Sequence, residues 1–192
     1  MTGESGHEPA PVKRSFQMTP EILPVDASLR REFESFFDMN EPGCFCRWPR
    51  YPPLRFDPED PSHRVAMGNL IASGTCPGLL AFVDREPVGW CAVGPLSAYP
   101  QYRDVAQPRD AWGIACVTVS KAARGKGVGG ALVEAGVAHA RERGGAWIYG
   151  PPPWWQPRPE DAAPGLVRIF QAAGFHKVGK GARMPILRKR LP

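Results

Sequence analysis

Ile114-Ala115-Cys116-Val117-Thr118-Val119, then Arg124-Gly125-Lys126-Gly127-Val128-Gly129-Gly130, then Ala131 to Arg143: this stretch decides the fold. Its first run is apolar and partly β-branched, and reads as a strand. Its last run reads as a helix. Val128, Leu132, Ala135, Gly136 and His139 fall on one stripe, with Val133, Val137 and Ala140 beside it. Gly144-Gly145 ends that helix. Between strand and helix the glycines let the backbone turn and approach a ligand closely. The free N–H groups and dipole of a helix start favour an anion there. Arg124 and Lys126 add positive charge at the same place. Either a phosphate is held here, or this is an ordinary glycine-rich turn with two surface bases.

The loop differs from two better-known phosphate loops. A Walker A loop needs Gly-x-x-x-x-Gly-Lys-Ser/Thr, but Lys126 precedes Gly127 and no hydroxyl follows to hold magnesium. A dinucleotide loop needs Gly-x-Gly-x-x-Gly in a parallel strand–helix–strand unit with an acid further on. The pattern here is Arg-x-x-Gly-x-Gly.

Outward from the loop, the order of elements is legible. Residues 1–20 are polar, carry Pro9, Pro11 and Pro20, and read as a flexible tail. Residues 21–192 read as a single domain. Leu29, Phe33, Phe36 and Phe37 recur at helical spacing after Asp26, so a helix is expected near 26–38. Cys44 to Asp60 reads as an irregular loop, and Ser62 to Ala72 as a second helix. Leu79–Val83 and Val88–Val93 flank Asp84-Arg85-Glu86-Pro87 as a hairpin. Pro95 to Gln107 is read as a loop and Ala111 to Val119 as the strand before the glycines. Trp147-Ile148-Tyr149 follows as a short strand. Pro151 to Pro164 is a proline-rich insertion with Trp154 and Trp155. Leu166–Ala173 reads as a fourth helix, and Phe175–Val178 and Met184–Leu191 as final strands. This order predicts an α/β (α+β) fold, a mixed and mostly antiparallel sheet flanked by helices.

Composition excludes several classes. The chain has 192 residues, 43% of them hydrophobic, with no run long enough to span a membrane as a helix. The N-terminal stretch lacks the apolar centre of a signal peptide, which leads us to expect a cytoplasmic protein. Five cysteines without an export signal point to reduced thiols. The net charge of +5 is concentrated late, with no Asp or Glu from Ala162 to Pro192. Arg168, Lys177, Lys180, Arg183, Arg188, Lys189 and Arg190 fall in that segment. They suit a phosphate-bearing ligand or RNA, or simply a solvated basic end.

Several motifs agree on a family. The loop Arg124-x-x-Gly127-x-Gly129 resembles the acetyl-CoA loop of the GNAT superfamily of N-acetyltransferases, and Val117-Thr118-Val119 stands five residues before it. Phe170-Gln171-Ala172-Ala173-Gly174-Phe175 is similar to the aromatic-x-x-x-Gly-Phe segment that closes the fourth helix of that superfamily. Glu86-Pro87-Val88-Gly89-Trp90 resembles its second hairpin, so the likeness runs from Leu79 to Leu191. Gly43-Cys44-Phe45-Cys46-Arg47-Trp48 looks like a cysteine-containing N-terminal region of some bacterial members.

The resemblance implies acetyl-CoA as co-substrate and an amine as acceptor. It implies that Val117, Thr118 and Val119 pair their backbone with the pantetheine arm, as an added strand would. Arg124, Gly125, Lys126, Gly127, Val128, Gly129 and Gly130 would then cradle the pyrophosphate. Lys121, Lys126 or the C-terminal bases would meet the adenosine 3′-phosphate. Two positions depart from the pattern. Many relatives carry a proton-donating Tyr where Phe170 stands, and a cofactor-contacting Asn where Ala163 stands.

Direct acyl transfer to an amine needs no nucleophilic side chain. It needs a deprotonated amine, an N–H for the carbonyl oxygen and close positioning. Asp110, Asp104 and Glu86 are the candidate bases, with a turn role as the competing reading of Asp110. Tyr149, on the short strand where the central strands should part, is the candidate proton donor; its competing role is a half-buried strand aromatic. Cys116, Thr118 and His139 are expected to pack, and His176 can face either way. Cys44 and Cys46, with Cys76 and His63, fall short of paired zinc motifs, so we expect structural thiols and no metal. Trp48, Tyr51, Phe56, Tyr99, Tyr102, Trp154 and Trp155 lie in predicted loops. They either wall an acceptor pocket or cover the core, and Trp154 and Trp155 are the substrate-binding candidates.

The expected activity is therefore transfer of acetyl from acetyl-CoA to the amine of a small molecule or peptide. An RNA-binding or RNA-acylating module on the same fold, or a catalytically degenerate coenzyme A-binding protein, are the alternatives. Nucleic acid ranks below the amine as a partner. The sequence says nothing of an oligomer.

Overall fold

Strand residues that are apolar without alternation need cover on both faces. Leu79-Leu80-Ala81-Phe82 and Trp90-Cys91-Ala92-Val93 are such runs, and every residue in them is buried. The computed structural model describes residues 18–40, 44–51, 57, 60–103, 105–106, 108–152, 163–180 and 185–192. Its strands are β1 (Glu21–Pro24), β2 (Leu79–Val83), β3 (Glu86–Pro95), β4 (Ala111–Val119), β5 (Trp147–Tyr149), β6 (His176–Lys180) and β7 (Pro185–Arg190). Its helices are α1 (Arg30–Asn40), α2 (Ser62–Ala72), α3 (Val128–Glu142) and α4 (Ala163–Ala172).

The strands form one sheet in the order β1-β2-β3-β4-β5-β7-β6. Only β4 and β5 run parallel; the other neighbours are antiparallel. The expected mixed, mostly antiparallel sheet is therefore present. One face holds Phe33, Phe36 and Phe37 of α1 and Met67 and Ile71 of α2 against Leu80, Phe82, Trp90 and Ala92. The other holds Leu132, Val133 and Ala140 of α3 and Phe170 of α4 against Leu79, Ala81, Cys91, Val93 and Ile114. Arg64 of α2 ties the outer sides of the first pair, with Nη2 2.9 Å from Glu34 and Nη1 2.7 Å from Asp38. Burial alone would raise the Glu34 carboxyl, but hydrogen bonds from Arg30 and Arg64 outweigh it and hold the group below its usual value.

Several boundaries differ from the sequence reading: Glu86 and Pro87, read as turn, open β3, the ends of α1, α4, β6 and β7 shift by a few residues, and three further differences bear on the site. β1 was not expected, because four residues ending in proline carry too little pattern; it pairs with β2 from Glu21↔Phe82 to Pro24↔Leu79. The tail ends earlier than residue 20, since the Met18 N–H donates to the Lys126 carbonyl at 3.0 Å. Residues 1–17 lie outside the described residues. Helix α3 begins at Val128 rather than Ala131, so Gly129 and Gly130 form its first turn.

Helix α3 lies close on the sheet because two glycines make room. A Cβ on Gly89 of β3 would stand 2.9 Å from Leu132 Cδ1 and 3.1 Å from Val128 Cγ1. One on Gly136 of α3 would stand 3.0 Å from Ile114 Cδ1. This close approach fixes where the start of α3 meets the end of β4. Gly89→Val should therefore lose about 1–3 kcal/mol of stability through overpacking, read as a lower midpoint in urea unfolding. An unchanged midpoint would show that the helix is not held at this contact.

Candidate active site

Strand β4 is paired on one side along most of its length and on the other side hardly at all. Against β3 it pairs from Pro95↔Trp112 to Gly89↔Val119. Against β5 it pairs only at Ala111↔Trp147, Trp112↔Ile148 and Gly113↔Tyr149. From Ile114 onward the edge facing β5 has no strand partner among the described residues. The two strands part like a fork at Gly113. A β-bulge lies just beyond the fork: Ala92 pairs with Cys116 and Val93 with Ile114, leaving Ala115 as an extra residue. Bulges re-aim backbone groups, here at the mouth of the fork.

The loop follows at the far end of β4. Gly125 and Gly127 have φ of +74° and +90°, a region that disfavours side chains. A Cβ at Gly125, Gly127 or Gly130 would meet nothing within 4 Å. Ala131 is the first residue of α3 whose N–H is taken, by the Gly127 carbonyl at 3.1 Å. The N–H groups from Gly125 to Gly130 have no acceptor among the described residues. Arg124 bends back, its Nε donating to the Val119 carbonyl at 3.0 Å. Lys126 is half-buried and Lys121 and Arg124 are exposed. A cradle of unspent N–H donors, flanked by cations and open to solvent, fits a phosphate group. It continues into the β4 edge at Val117, Thr118 and Val119, all half-buried, which no described strand pairs and where Arg124 holds the Val119 carbonyl.

The other candidates fall as follows. Asp110 is exposed in the turn before β4, and its carbonyl accepts from the Ala146 and Trp147 N–H groups at 2.9 and 3.5 Å. The nine residues of β4, about 30 Å at some 3.3 Å per residue, separate it from the loop. Tyr149 is buried at the last β4–β5 pair, and its hydroxyl donates to the Ala106 carbonyl at 3.0 Å. Phe170 is buried edge-on to Phe175, with ring centroids 5.0 Å apart. It lies beside Gly150, where a Cβ would stand 3.3 Å from Phe170 Cδ1. Ala163 opens α4. Trp154, Trp155, Asp104 and Phe56 lie outside the described residues.

Some readings change. Tyr99 and Tyr102, for which pocket wall and core cover were both open, are each 1% exposed and belong to the core on the α1–α2 face. Nothing in their spacing separates the two roles. Three of the late bases are engaged within the fold. Arg188 and Arg190 lie over the Trp147 ring at 4.3 and 5.8 Å, and Lys189 Nζ donates to the Ala173 carbonyl at 2.7 Å. Cys46 and half-buried Cys116 come together under α1, where burial and then Cys116 push the Cys46 thiol up. No group of three or more His, Cys, Asp or Glu is placed to hold a metal ion among the described residues. His139 is buried beside Trp112, and burial, then Arg143, lowers it to about 4. The fork itself, with its bulge, was the feature that sequence reasoning located only through Tyr149.

Residues 33–149 match the model of the acetyltransferase (GNAT) family. The chain belongs to that family. Its fold is similar to that of the GNAT domain of PAT from S. lividans, with a TM-score of 0.60, 19% identity and 90% of each chain covered. It is also similar to the PaiA N-acetyltransferase of Thermoplasma acidophilum in complex with coenzyme A (TM-score 0.58, 12% identity, 91% of this chain and 100% of that one). A phosphinothricin acetyltransferase from Sinorhizobium meliloti in complex with acetyl-CoA gives 0.58, at 17% identity over 91% of this chain and 89% of that one. No curated protein matches the chain in sequence. No described helix is long and apolar enough to cross a membrane.

The loop can be tested without knowing the acceptor. Gly127→Glu is expected to place a carboxylate among the free N–H groups; it strains the backbone, but its Cβ meets nothing within 4 Å. Calorimetry should show coenzyme A affinity falling by about 100-fold or more, with circular dichroism retaining the fold. Undiminished affinity would refute the phosphate assignment.

Proposed function

We propose that the chain transfers the acetyl group of acetyl-CoA directly to the amine of a small molecule or peptide. The observation that carries this reading is the continuity of the open β4 edge with the unspent N–H groups of the loop. One long ligand with a polar amide arm and a phosphate end matches both. The backbone of Val117, Thr118 and Val119 pairs with the pantetheine amides, and the segment Arg124–Gly130 takes the pyrophosphate. The thioester then reaches the bulge at Ala115, where a re-aimed backbone N–H meets the carbonyl oxygen as it gains charge. Family membership and the coenzyme complexes of similar folds support acetyl-CoA as the donor.

In this reading the neutral amine attacks the carbonyl carbon, an N–C bond forms and the C–S bond breaks. The amine gives up its proton and the departing thiolate takes one. Phe170 has no proton to give. Tyr149 stands at the fork and is the closer of the two nominated side chains; Asp110, a strand length from the loop, serves the turn. Trp154 and Trp155 remain our candidates for the acceptor wall. One continuous sheet with cores on both faces supports a single domain from residue 21 onward.

A second reading, a coenzyme A-binding protein without catalysis, draws on Phe170 and on the Tyr149 hydroxyl already spent on Ala106. The RNA reading loses weight because Arg188, Lys189 and Arg190 have intramolecular partners. Thiol release from acetyl-CoA across a panel of amines and N-terminal peptides separates the first two. Turnover is expected, with Tyr149→Phe lowering kcat by roughly tenfold or more and Asp110→Asn changing it less than about threefold. Coenzyme A binding without turnover on any amine would favour the second reading.

A further inference from the structure

The fork leaves one backbone group to account for. In a parallel ladder the N–H groups of one strand bond carbonyls of the other with a two-residue period. The Trp147 N–H points to the Asp110 carbonyl at 3.5 Å. The β4–β5 pairs end at Gly113↔Tyr149; continued two ladder periods beyond Trp147, the register would set residue 151 against the carbonyl of Ile114. Residue 151 is proline, as is residue 152, and neither has an N–H. Past its last pair the ladder would find no donor at that position. Ile114 is fully buried, so its carbonyl needs another partner.

Tyr102 supplies it. Its hydroxyl lies 3.1 Å from the Ile114 carbonyl oxygen, and it also touches the carbonyl of Gly150, which follows β5. With one proton it donates to one of the two at a time. The hydroxyl thus stands between the prongs of the fork. Burial pushes its phenol well above the ordinary range, so it stays a neutral donor. The ring rests against Gly113, the last paired residue of β4: a Cβ there would stand 3.0 Å from Tyr102 Cε2. The short turns Leu96–Ala98 and Pro100–Tyr102 deliver the ring from between β3 and β4.

We propose that Tyr102 is a positioning residue that holds the β4–β5 fork open by taking the rung that Pro151 cannot make. The edge of β4 beyond Ile114 is thereby kept free for the pantetheine arm. This rests on the donor assignment above, and concerns only the arm, not the phosphate end.

The test uses Tyr102→Phe in the full chain. Two ligands are titrated by calorimetry: coenzyme A, and adenosine 3′,5′-bisphosphate, which lacks the pantetheine arm. Coenzyme A affinity should fall about tenfold, while bisphosphate affinity stays within about twofold. A second variant adds Pro151→Ala, which returns an N–H opposite Ile114. It should recover the thermal stability lost in Tyr102→Phe while coenzyme A affinity stays low, because the ladder now closes the fork. The double variant carries the same test if Tyr102→Phe fails to fold. Coenzyme A binding that is unchanged in Tyr102→Phe, or that rises and falls with stability across the series, would make Tyr102 a packing residue and overturn the proposal. A wild-type chain that binds neither ligand would overturn the donor assignment and this proposal together.

Discussion

Everything at the site depends on the hydrogen-bond accounting of β4. One edge of this strand is bound by β3 from Trp112 to Val119, and the other by β5 only as far as Gly113. A strand edge without a partner is ordinarily a hazard, because its N–H and C=O groups invite another chain. Here that edge is internal to the sheet, flanked by β5 and leading to the loop. It has the polarity of a strand edge. On our proposal Tyr102 holds the edge open where Pro151 and Pro152 offer no N–H, and the bulge adds Ala115 at the same point. Neither would matter if the sheet did not place β5 beside β4.

The second constraint is the contact between α3 and the sheet. The proposed phosphate site needs unspent N–H groups at a helix start, and needs them at the end of the strand proposed to hold the rest of the ligand. Gly89 and Gly136 let α3 lie close enough on β3 and β4 for both conditions to hold. Leu132 and Val133 are buried in the same contact. The helix is thus aimed by apolar packing, while its first turn is left polar and open. A more bulky interface would move the loop away from Val119 without altering any residue in the loop.

The legible parts of the chain were those whose physics is local. The loop could be read because glycine, arginine and lysine act within a few residues of one another. Strand β4 and α2 were placed with their observed ends, since apolar pattern and flanking breakers agreed. The start of α3 was misplaced because Gly129 and Gly130 have poor helix propensity, which burial of Val128 overrides. The sequence left Tyr102 between pocket wall and core for a similar reason. Its neighbours in sequence are polar or proline, whereas its neighbours in space are Gly113, Ile114 and Gly150. Arg188 and Arg190 gave the appearance of a basic face until Trp147 was seen beneath them.

By itself the sequence determined the local frame of the loop: a strand, a glycine turn and a helix whose first N–H groups are unspent. These follow from backbone sterics and the end effects of a helix, which need no distant residue. Only the tertiary structure decided where the sheet parts and what fills the break. The parting requires β5 to lie parallel to β4, so that the Tyr102 hydroxyl reaches the carbonyls of Ile114 and Gly150 on both prongs. Those residues are dozens of positions apart, and no local pattern brings a phenol to a carbonyl that lacks its rung.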